Sequence, residues 1–131
     1  MGHRLRFLVV DDDPVVLEVV RYRLDELGFE VSVRAEALGT SAAILQFRPD
    51  FVLLDLEMPG LPGMALARSL QANPLTQGVR IILHSSAAAE RLAELATTPG
   101  IAGTIQKTGD DDVFQARIRG ILAATLARRL A

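Results

Sequence analysis

The sequence predicts a doubly wound α/β domain in which five parallel strands alternate with five helices. Short apolar runs alternate along the chain with longer segments of helical periodicity, and this order implies parallel pairing through right-handed crossovers. Several runs are continuously apolar, which is typical of strands covered on both faces. The 131 residues, half of them hydrophobic, suit one domain with a sizeable core. We therefore expect a single domain over residues 1–131.

The first units of this pattern carry clear boundary signals. Residues 5–10 form an apolar strand, and Asp13 followed by Pro14 predicts a helix start, because a capping side chain precedes proline at the first helical position. Gly28 is the expected C-terminal cap of that helix. Beyond it we predict a strand with alternating Phe29, Val31 and Val33, and a short helix from Thr40 to Phe47.

The third strand, Phe51 to Leu54, is wholly apolar and ends directly before Asp55. The segment Glu57 to Gly63 contains two prolines and two glycines and is predicted to be a loop. The later elements are predicted as a helix over Met64 to Ala72, a strand over Val79 to Leu83, a helix over Ala87 to Ala96 and a strand over Thr104 to Gln106.

The last predicted helix is capped by Asp110 or Asp111, and its apolar residues advance by three or four positions to form one stripe. We interpret this stripe as core packing rather than as a contact with a partner. Its members are Phe114, Ile118, Ile121, Leu122, Leu126 and Leu130.

Composition excludes several classes of function. A net charge of −2 argues against non-specific binding to nucleic acid or anionic membranes. Without cysteine the chain has no disulfides, thiolate metal sites or cysteine nucleophiles. The apolar run Phe7 to Val10 is too short for a signal peptide, and no stretch approaches the roughly 18 apolar residues of a membrane helix. We expect a soluble cytoplasmic protein.

Polar residues follow four of the predicted strands, where binding sites form in open parallel sheets. They are Asp11, Asp12 and Asp13 after the first strand, Asp55 after the third, Ser85 and Ser86 after the fourth, and Lys107 after the fifth. Oxygen ligands without nearby His or Cys suit a hard cation such as Mg2+, and lysine and serine can bind phosphoryl oxygens. The set predicts a magnesium and phosphoryl site with a carboxylate nucleophile.

Each of these residues also has a structural explanation when it is taken alone. Asp13 is expected to act only as a helix cap, Asp55 can cap the next turn, and Lys107 can be a surface charge. The functional prediction therefore depends on all of them meeting at one edge of the sheet.

Four segments resemble the signatures of receiver domains in bacterial two-component response regulators. They are FLVVDDDP at 7–14, VLLDLEMPG at 52–60 together with Gly63, IILHSS at 81–86 and GTIQK at 103–107. They occur in the family's order and spacing and cover nearly the whole chain. The resemblance implies a flavodoxin-like fold with strand order 2-1-3-4-5, as in chemotaxis regulators. Because the sequence ends with the fifth predicted helix, we expect no output domain.

The resemblance also implies a role for each residue of the site. Asp55 would be the phosphoacceptor, and Ser85 and Lys107 would contact the phosphoryl group. The ligands of Mg2+, or possible Mn2+, would be Asp12, Asp55, the backbone carbonyl of Glu57 and, through water, Asp11. The protein would catalyse only its own phosphorylation and dephosphorylation.

Three positions depart from the family pattern. Thr104 replaces a common aromatic residue whose ring can report movement of the Ser85 hydroxyl. Thr108 replaces the proline after Lys107, so we predict a trans Lys107–Thr108 bond, because a cis bond before a non-proline residue costs about 2.5–4 kcal/mol. Pro62 replaces a commonly acidic loop residue.

His84 and His3 lack metal-ligand spacing. We interpret His84 as a strand-end residue near the output surface.

Two functions from different classes follow. The first is a phosphorylated response regulator whose partners are a sensor histidine kinase or histidine phosphotransfer protein and a downstream protein, with no direct nucleic-acid or membrane contact, as a monomer or weak dimer. The alternative is a phosphorylation-independent pseudo-receiver that acts as an interaction module, which Thr104 and Thr108 favour. A turnover enzyme of the haloacid-dehalogenase type is disfavoured by the missing second acidic motif and the small size.

Overall fold

The computed structural model describes the backbone of residues 4–130 and the side chains of residues 4–128. Its five strands form one parallel sheet of order β2-β1-β3-β4-β5, which confirms the predicted fold class and strand order. In chain order the elements are β1 (Arg6–Val10), α1 (Pro14–Glu26), β2 (Glu30–Arg34), α2 (Thr40–Phe47), β3 (Phe51–Asp55), α3 (Gly63–Ala72), β4 (Arg80–Ser85), α4 (Ala89–Leu95), β5 (Ile101–Gln106) and α5 (Asp111–Leu130).

Two apolar layers cover the sheet, because successive side chains of a strand point to opposite faces. On one face Leu8, Leu54 and Leu83 pack in a cluster with residues of α2, α3 and α4. On the other face strand residues such as Leu53 and Ile82 pack with α1 and α5. Strand β3 is buried at all five positions, so its carboxyl end is firmly held.

Helix α1 begins as the sequence predicts. Asp13 is its N-cap, and the Asp13 Oδ1 accepts a hydrogen bond of 2.9 Å from the backbone N–H of Val15. Pro14 occupies the first helical turn, where its missing N–H has no intrahelical partner to lose. The cap fixes the direction in which the chain leaves β1, directly after Asp11 and Asp12.

Strand β4 continues to Ser85, two residues beyond its predicted end at Leu83, and the predicted starts of α4 and β5 are also wrong. Helix α4 begins at Ala89 and not at Ala87. The Ala87 N–H donates to the Ser85 Oγ at 3.0 Å, which forms a turn before the helix. Strand β5 begins at Ile101, three residues before the prediction. Its first residues are only half-buried at the sheet edge, where the pairing with β4 is irregular, so they lack the apolar signal of an inner strand.

The apolar stripe of α5 packs into the core only over its first half. Phe114, Ile118 and Ile121 are buried, and Leu122 is partly buried. Leu126 is 56% exposed, so the core-packing interpretation is wrong for this residue. The side chain of Leu130 lies outside the described residues. Over residues 4–130, no helix combines the length and apolar character needed to span a bilayer.

Candidate phosphoryl and metal site

Three carboxylates meet at the carboxyl edge of the sheet, where β1 and β3 end side by side. One carboxylate oxygen from each of Asp11, Asp12 and Asp55 lies within 4.8 Å of the others. Asp11 and Asp55 are buried, whereas Asp12 is exposed. The parallel pairing of β1 with β3 produces this cluster from residues more than 40 positions apart.

Asp11 uses its two oxygens differently. The Oδ1 accepts a hydrogen bond of 2.9 Å from the Asp13 N–H. The Oδ2 is buried without a directed hydrogen bond and lies 3.1 Å from the Lys107 Nζ. Because an ionised carboxylate oxygen has two acceptor sites, Asp11 Oδ2 can bind another partner in addition to Lys107.

Burial raises the pKa of the Asp55 carboxyl above its ordinary value. The charge of Asp11 acts in the same direction, while the Glu57 N–H, 3.2 Å from Asp55 Oδ1, and the Lys107 ammonium act against it. The net effect disfavours the charged carboxylate. A cation bound at this edge would offset the cost of that charge.

Lys107 follows β5 and bridges the two buried carboxylates. Its Nζ lies 3.1 Å from Asp11 Oδ2 and 3.5 Å from Asp55 Oδ1, and its backbone N–H donates to the Ser85 carbonyl at 2.7 Å. Burial by itself lowers the pKa of the Lys107 ammonium, but its close ion pairs with Asp11 and Asp55 outweigh burial and raise it. Lys107 is therefore held as a cation beside both carboxylates.

Ser85 is the fully buried last residue of β4. Its Oγ accepts a hydrogen bond from the Ala87 N–H at 3.0 Å and donates to the Glu57 Oε1 at 3.4 Å. The sequence assigns only the backbone of Glu57 to the site, so this side-chain contact was missed. Ser86, by contrast, is exposed.

Gly63 permits the close approach of α3 to the end of β3. A Cβ at this position would collide with the backbone carbonyl of Asp55 and would lie 2.8 Å from the Cα of Leu56. The Gly63 N–H also donates to the Leu56 carbonyl at 2.9 Å. The loop after the central strand is thus fastened next to Asp55, with Pro62 as the residue before the helix.

His84 is the penultimate residue of β4, which confirms that it lies at a strand end, and its side chain points to the opposite face of the sheet from Ser85. The side chain is buried, its Nε2 has no hydrogen-bond partner, and its ring meets Phe114 edge-on at 5.7 Å. It lines a cavity of about 360 Å3 between α1 and the β5–α5 loop, together with Lys107. Burial, with the nearby Lys107 and Arg23 charges, lowers the pKa of His84 to about 3. His3 lies outside the described residues.

The other departures from the family pattern flank β5. Thr104 is buried beside a cavity of about 660 Å3 between α4, β5 and α5, which Ala93 and Val113 also line. Across residues 4–130 every peptide bond is trans, which confirms the predicted trans bond between Lys107 and Thr108. The Thr108 Oγ1 accepts a hydrogen bond of 3.1 Å from the Asp110 N–H.

The donor set fits a hard divalent cation. Three carboxylates face one ammonium, which leaves two negative charges uncompensated when all groups are ionised. Every metal-binding atom in the described cluster is an oxygen, the ligand preferred by Mg2+ and Ca2+. Asp12 is exposed and Asp11 Oδ2 lacks a directed hydrogen bond, so the cluster could hold a metal ion.

Residues 7–119 match the family described as response regulator receiver domain. This chain belongs to the response regulator receiver family. The Streptomyces avermitilis transcriptional regulatory protein CseB is 32% identical over 122 residues, which cover 93% of this chain and 51% of that protein. The Mycolicibacterium smegmatis DNA-binding response regulator MtrA is 40% identical over 80 residues, or 61% of this chain and 34% of MtrA. The receiver domain spans about half the length, or less, of these curated relatives.

Solved receiver structures share the same fold. The BeF3-activated N-terminal receiver domain of Klebsiella pneumoniae RstA has a TM-score of 0.76 at 30% identity, covering 89% of this chain and 97% of that one. The Vibrio cholerae chemotaxis protein CheY4 has a TM-score of 0.80 at 18% identity, covering 91% and 99%, and shows the fold alone. The chain is thus a receiver domain of the kind found in two-component response regulators.

Proposed function

We propose that this receiver domain accepts a phosphoryl group on Asp55 in two-component signalling. The observation that carries the proposal is the meeting of Asp11, Asp12 and Asp55 within 4.8 Å, with Lys107 beside two of them. Carboxylates form covalent phosphoryl intermediates, and clustered carboxylates with a lysine suit Mg2+-assisted phosphoryl chemistry. The donor is a phosphohistidine on a sensor kinase or a phosphotransfer protein.

In the proposed step, a carboxylate oxygen of Asp55 attacks phosphorus while the P–N bond of the phosphohistidine breaks. A P–O bond forms, and the electron pair of the broken bond stays on the imidazole nitrogen of the donor. The Lys107 ammonium pairs with one phosphoryl oxygen, and the Ser85 hydroxyl donates to another. The chain contributes mainly positioning and electrostatics, so it acts only on its own phosphorylation.

Residues already close to Asp55 would hold the metal. Asp12, Asp55 and the Glu57 carbonyl would bind Mg2+, or Mn2+, directly, and Asp11 would bind it through water. Bound Mg2+ supplies positive charge that offsets the negative charge of the carboxylates and the phosphoryl group. The raised pKa of Asp55 supports this dependence, because the nucleophile is the charged form that burial disfavours.

Phosphorylation of Asp55 switches the conformation of a protein-interaction surface. A phosphoaspartate adds about 1.5–2 negative charges and new acceptor oxygens, which Lys107 and Ser85 are positioned to bind. This favours one of two surface conformations, and a downstream protein reads the difference in the cytoplasm.

A phosphorylation-independent interaction module is the second candidate. The observation that favours it is Thr104, which leaves a cavity of about 660 Å3 between α4, β5 and α5. Because Thr104 has no aromatic ring, the surface formed by α4, β5 and α5 lacks the side chain that could report phosphorylation by moving.

Intact mass after incubation with acetyl phosphate, with and without Mg2+, separates the two candidates. We expect one phosphoryl adduct that requires Mg2+ and is absent in Asp55→Asn. Asp13→Asn is the matched control, because asparagine still caps α1 and should label normally. Failure of the unmodified chain to label, where another receiver labels, would favour the interaction module.

A further inference from the structure

Glu57 contacts both the proposed phosphoacceptor and the serine that follows β4. Its backbone N–H donates to Asp55 Oδ1 at 3.2 Å, while its carboxylate accepts from the Ser85 Oγ at 3.4 Å. The residue itself is exposed, whereas Asp55 and Ser85 are buried. One residue on the loop after β3 therefore joins the ends of β3 and β4.

In its hydrogen bonds, Ser85 uses its only hydroxyl proton as the donor to the Glu57 carboxylate. A serine hydroxyl has one proton and two acceptor lone pairs. The Ala87 N–H uses a lone pair at 3.0 Å, and the Glu57 carboxylate receives the proton. At 3.4 Å this second bond is long and weak, so it can be exchanged for a better acceptor.

A phosphoryl group on Asp55 would be such an acceptor. Its oxygens carry more charge than a carboxylate oxygen and form shorter, stronger hydrogen bonds. The Ser85 hydroxyl cannot donate its single proton to both groups. The Glu57 carboxylate must therefore give up the hydroxyl when the phosphoryl group arrives, and its negative charge opposes the phosphoryl charge as well.

We propose that the Glu57 carboxylate is a positioning residue that retains the Ser85 hydroxyl in the unphosphorylated protein and so weakens phosphoryl binding at Asp55. The inference rests on the proposed function and assigns Glu57 a side-chain role beyond its backbone carbonyl. Glu57 acts through Ser85 and does not itself take part in the bond exchange. Glu57→Ala keeps the backbone carbonyl and removes both the competing acceptor and its negative charge.

The test is a double-mutant cycle on beryllofluoride binding, a phosphoryl analogue, at saturating Mg2+ and high ionic strength. High salt screens the charge of the exposed carboxylate, which leaves the hydrogen-bond competition. We expect Glu57→Ala to tighten beryllofluoride binding by about three- to tenfold, the scale of one weak hydrogen bond. In a Ser85→Ala background the same change should alter the affinity by less than about twofold, because no hydroxyl remains to compete for.

Two controls make the cycle specific. Glu36→Ala removes another exposed carboxylate near the same edge, beside Asp12, and should leave beryllofluoride affinity unchanged. Thermal unfolding of each variant shows that it is folded. Equal tightening in both backgrounds, or no tightening by Glu57→Ala, overturns the inference.

Acetyl phosphate labelling of the same variants separates this inference from the proposed function. Labelling with a zero coupling energy between Glu57 and Ser85 refutes the positioning role and leaves phosphorylation of Asp55 intact. Absence of both labelling and beryllofluoride binding in the unmodified chain overturns both. The expected result is labelling together with a coupling of about threefold or more.

Discussion

Two regions of this domain pair a cation with carboxylates, the partly buried Lys107 in one and the buried Arg23 in the other, and they do so in opposite ways. At the carboxyl edge of the sheet, Lys107 faces two buried carboxylates while a third lies close by. Between α1 and α5, a contact that we term the α1–α5 seam, Arg23 pairs with one carboxylate, Asp111, at 2.6 Å. The first region has more carboxylates than its one lysine neutralises, whereas Arg23 and Asp111 form a single matched ion pair.

The residues of the α1–α5 seam form further contacts with one another. They are Arg23, Glu26, Asp111, Phe114 and Gln115, together with His84 of β4, whose ring contacts Phe114. The Arg23 guanidinium lies 5.2 Å from the centre of the Phe114 ring. The backbone carbonyl of Arg23 accepts a hydrogen bond of 3.0 Å from the Gln115 Nε2. Gln115 also donates to Glu26. Removing one partner of a buried ion pair destabilises a fold, whereas unmatched carboxylates at a sheet edge are expected where a cation or phosphoryl group binds.

The largest expected effect is the loss of stability in acid caused by His84, the one uncharged titratable member of the seam. Its pKa is about 3 in the folded chain against an ordinary 6.5, so the unfolded chain takes up a proton first. Stability is therefore lost as the pH falls from about 6.5 to about 3, by about 4–5 kcal/mol in total at about 1.36 kcal/mol per pH unit.

Denaturant unfolding of the unmodified chain and of His84→Leu, at several pH values between 7 and 4, checks this expectation. The variant should lose less stability in acid, because no imidazole remains to be protonated. At pH 7 it should lose about 0.5–1.5 kcal/mol for the edge-on contact with Phe114, but nothing for a hydrogen bond, since the His84 Nε2 has no partner. Parallel pH profiles for the two proteins would contradict a buried neutral His84.

Replacing Arg23 by methionine should lower the free energy of unfolding by about 1–3 kcal/mol. Methionine retains much of the packing on Phe114 but loses the ion pair and the cation–π contact, while the half-exposed Asp111 can return to water. Arg91→Met is the matched control, because Arg91 and Glu94 form an exposed pair at 3.4 Å, worth well under about 1 kcal/mol. Arg23→Met should still label with acetyl phosphate; loss of labelling would mean that the seam also serves the site.

The difference between the regions also explains what could be predicted from the sequence. Asp11, Asp55 and Lys107 directly follow strands, and strand ends of a parallel sheet share one edge, so their meeting is a consequence of topology. Arg23 and Asp111 lie 88 positions apart on two helices. Their pairing depends on how α1 and α5 rotate against the sheet, which no local pattern specifies.

Side-chain rotamers are a second reason why parts of the site could not be predicted from the sequence. The Glu57 carboxylate could point to solvent or to Ser85, and the sequence does not choose between these directions. The burial of His84 was available in principle, because Ile82 and His84 are two positions apart on one strand and share a face. Ile82 belongs to the layer that packs with α1 and α5, which would have predicted the side of the sheet on which His84 lies.

Asp55→Asn should raise the free energy of unfolding by about 1 kcal/mol at pH 7 in the absence of Mg2+, the scale of a single-site change. Because burial raises the pKa of Asp55, the unfolded chain ionises more readily, so the charge costs stability at neutral pH. The gain should be complete above the folded pKa and disappear as the pH falls to about 3.8, the ordinary value. Denaturant unfolding of both proteins at pH 7 and pH 4 measures it; an unstable Asp55→Asn would contradict excess negative charge at this edge.

The smallest expected effect is the stabilisation of the folded chain by Mg2+, which should depend on Asp12 and not on the adjacent Asp13. Mg2+ at about five times its Kd should raise the free energy of unfolding by about 1 kcal/mol, because it binds only the folded chain. Asp12→Asn should remove most of this gain, since one of the three clustered carboxylates is lost. Asp13→Asn changes the net charge equally but touches only the cap of α1, so it should retain the gain. Equal loss in both variants would mean that Mg2+ responds to the general negative charge of the loop, whereas a loss confined to Asp12→Asn would locate the ion at the under-neutralised edge of the sheet.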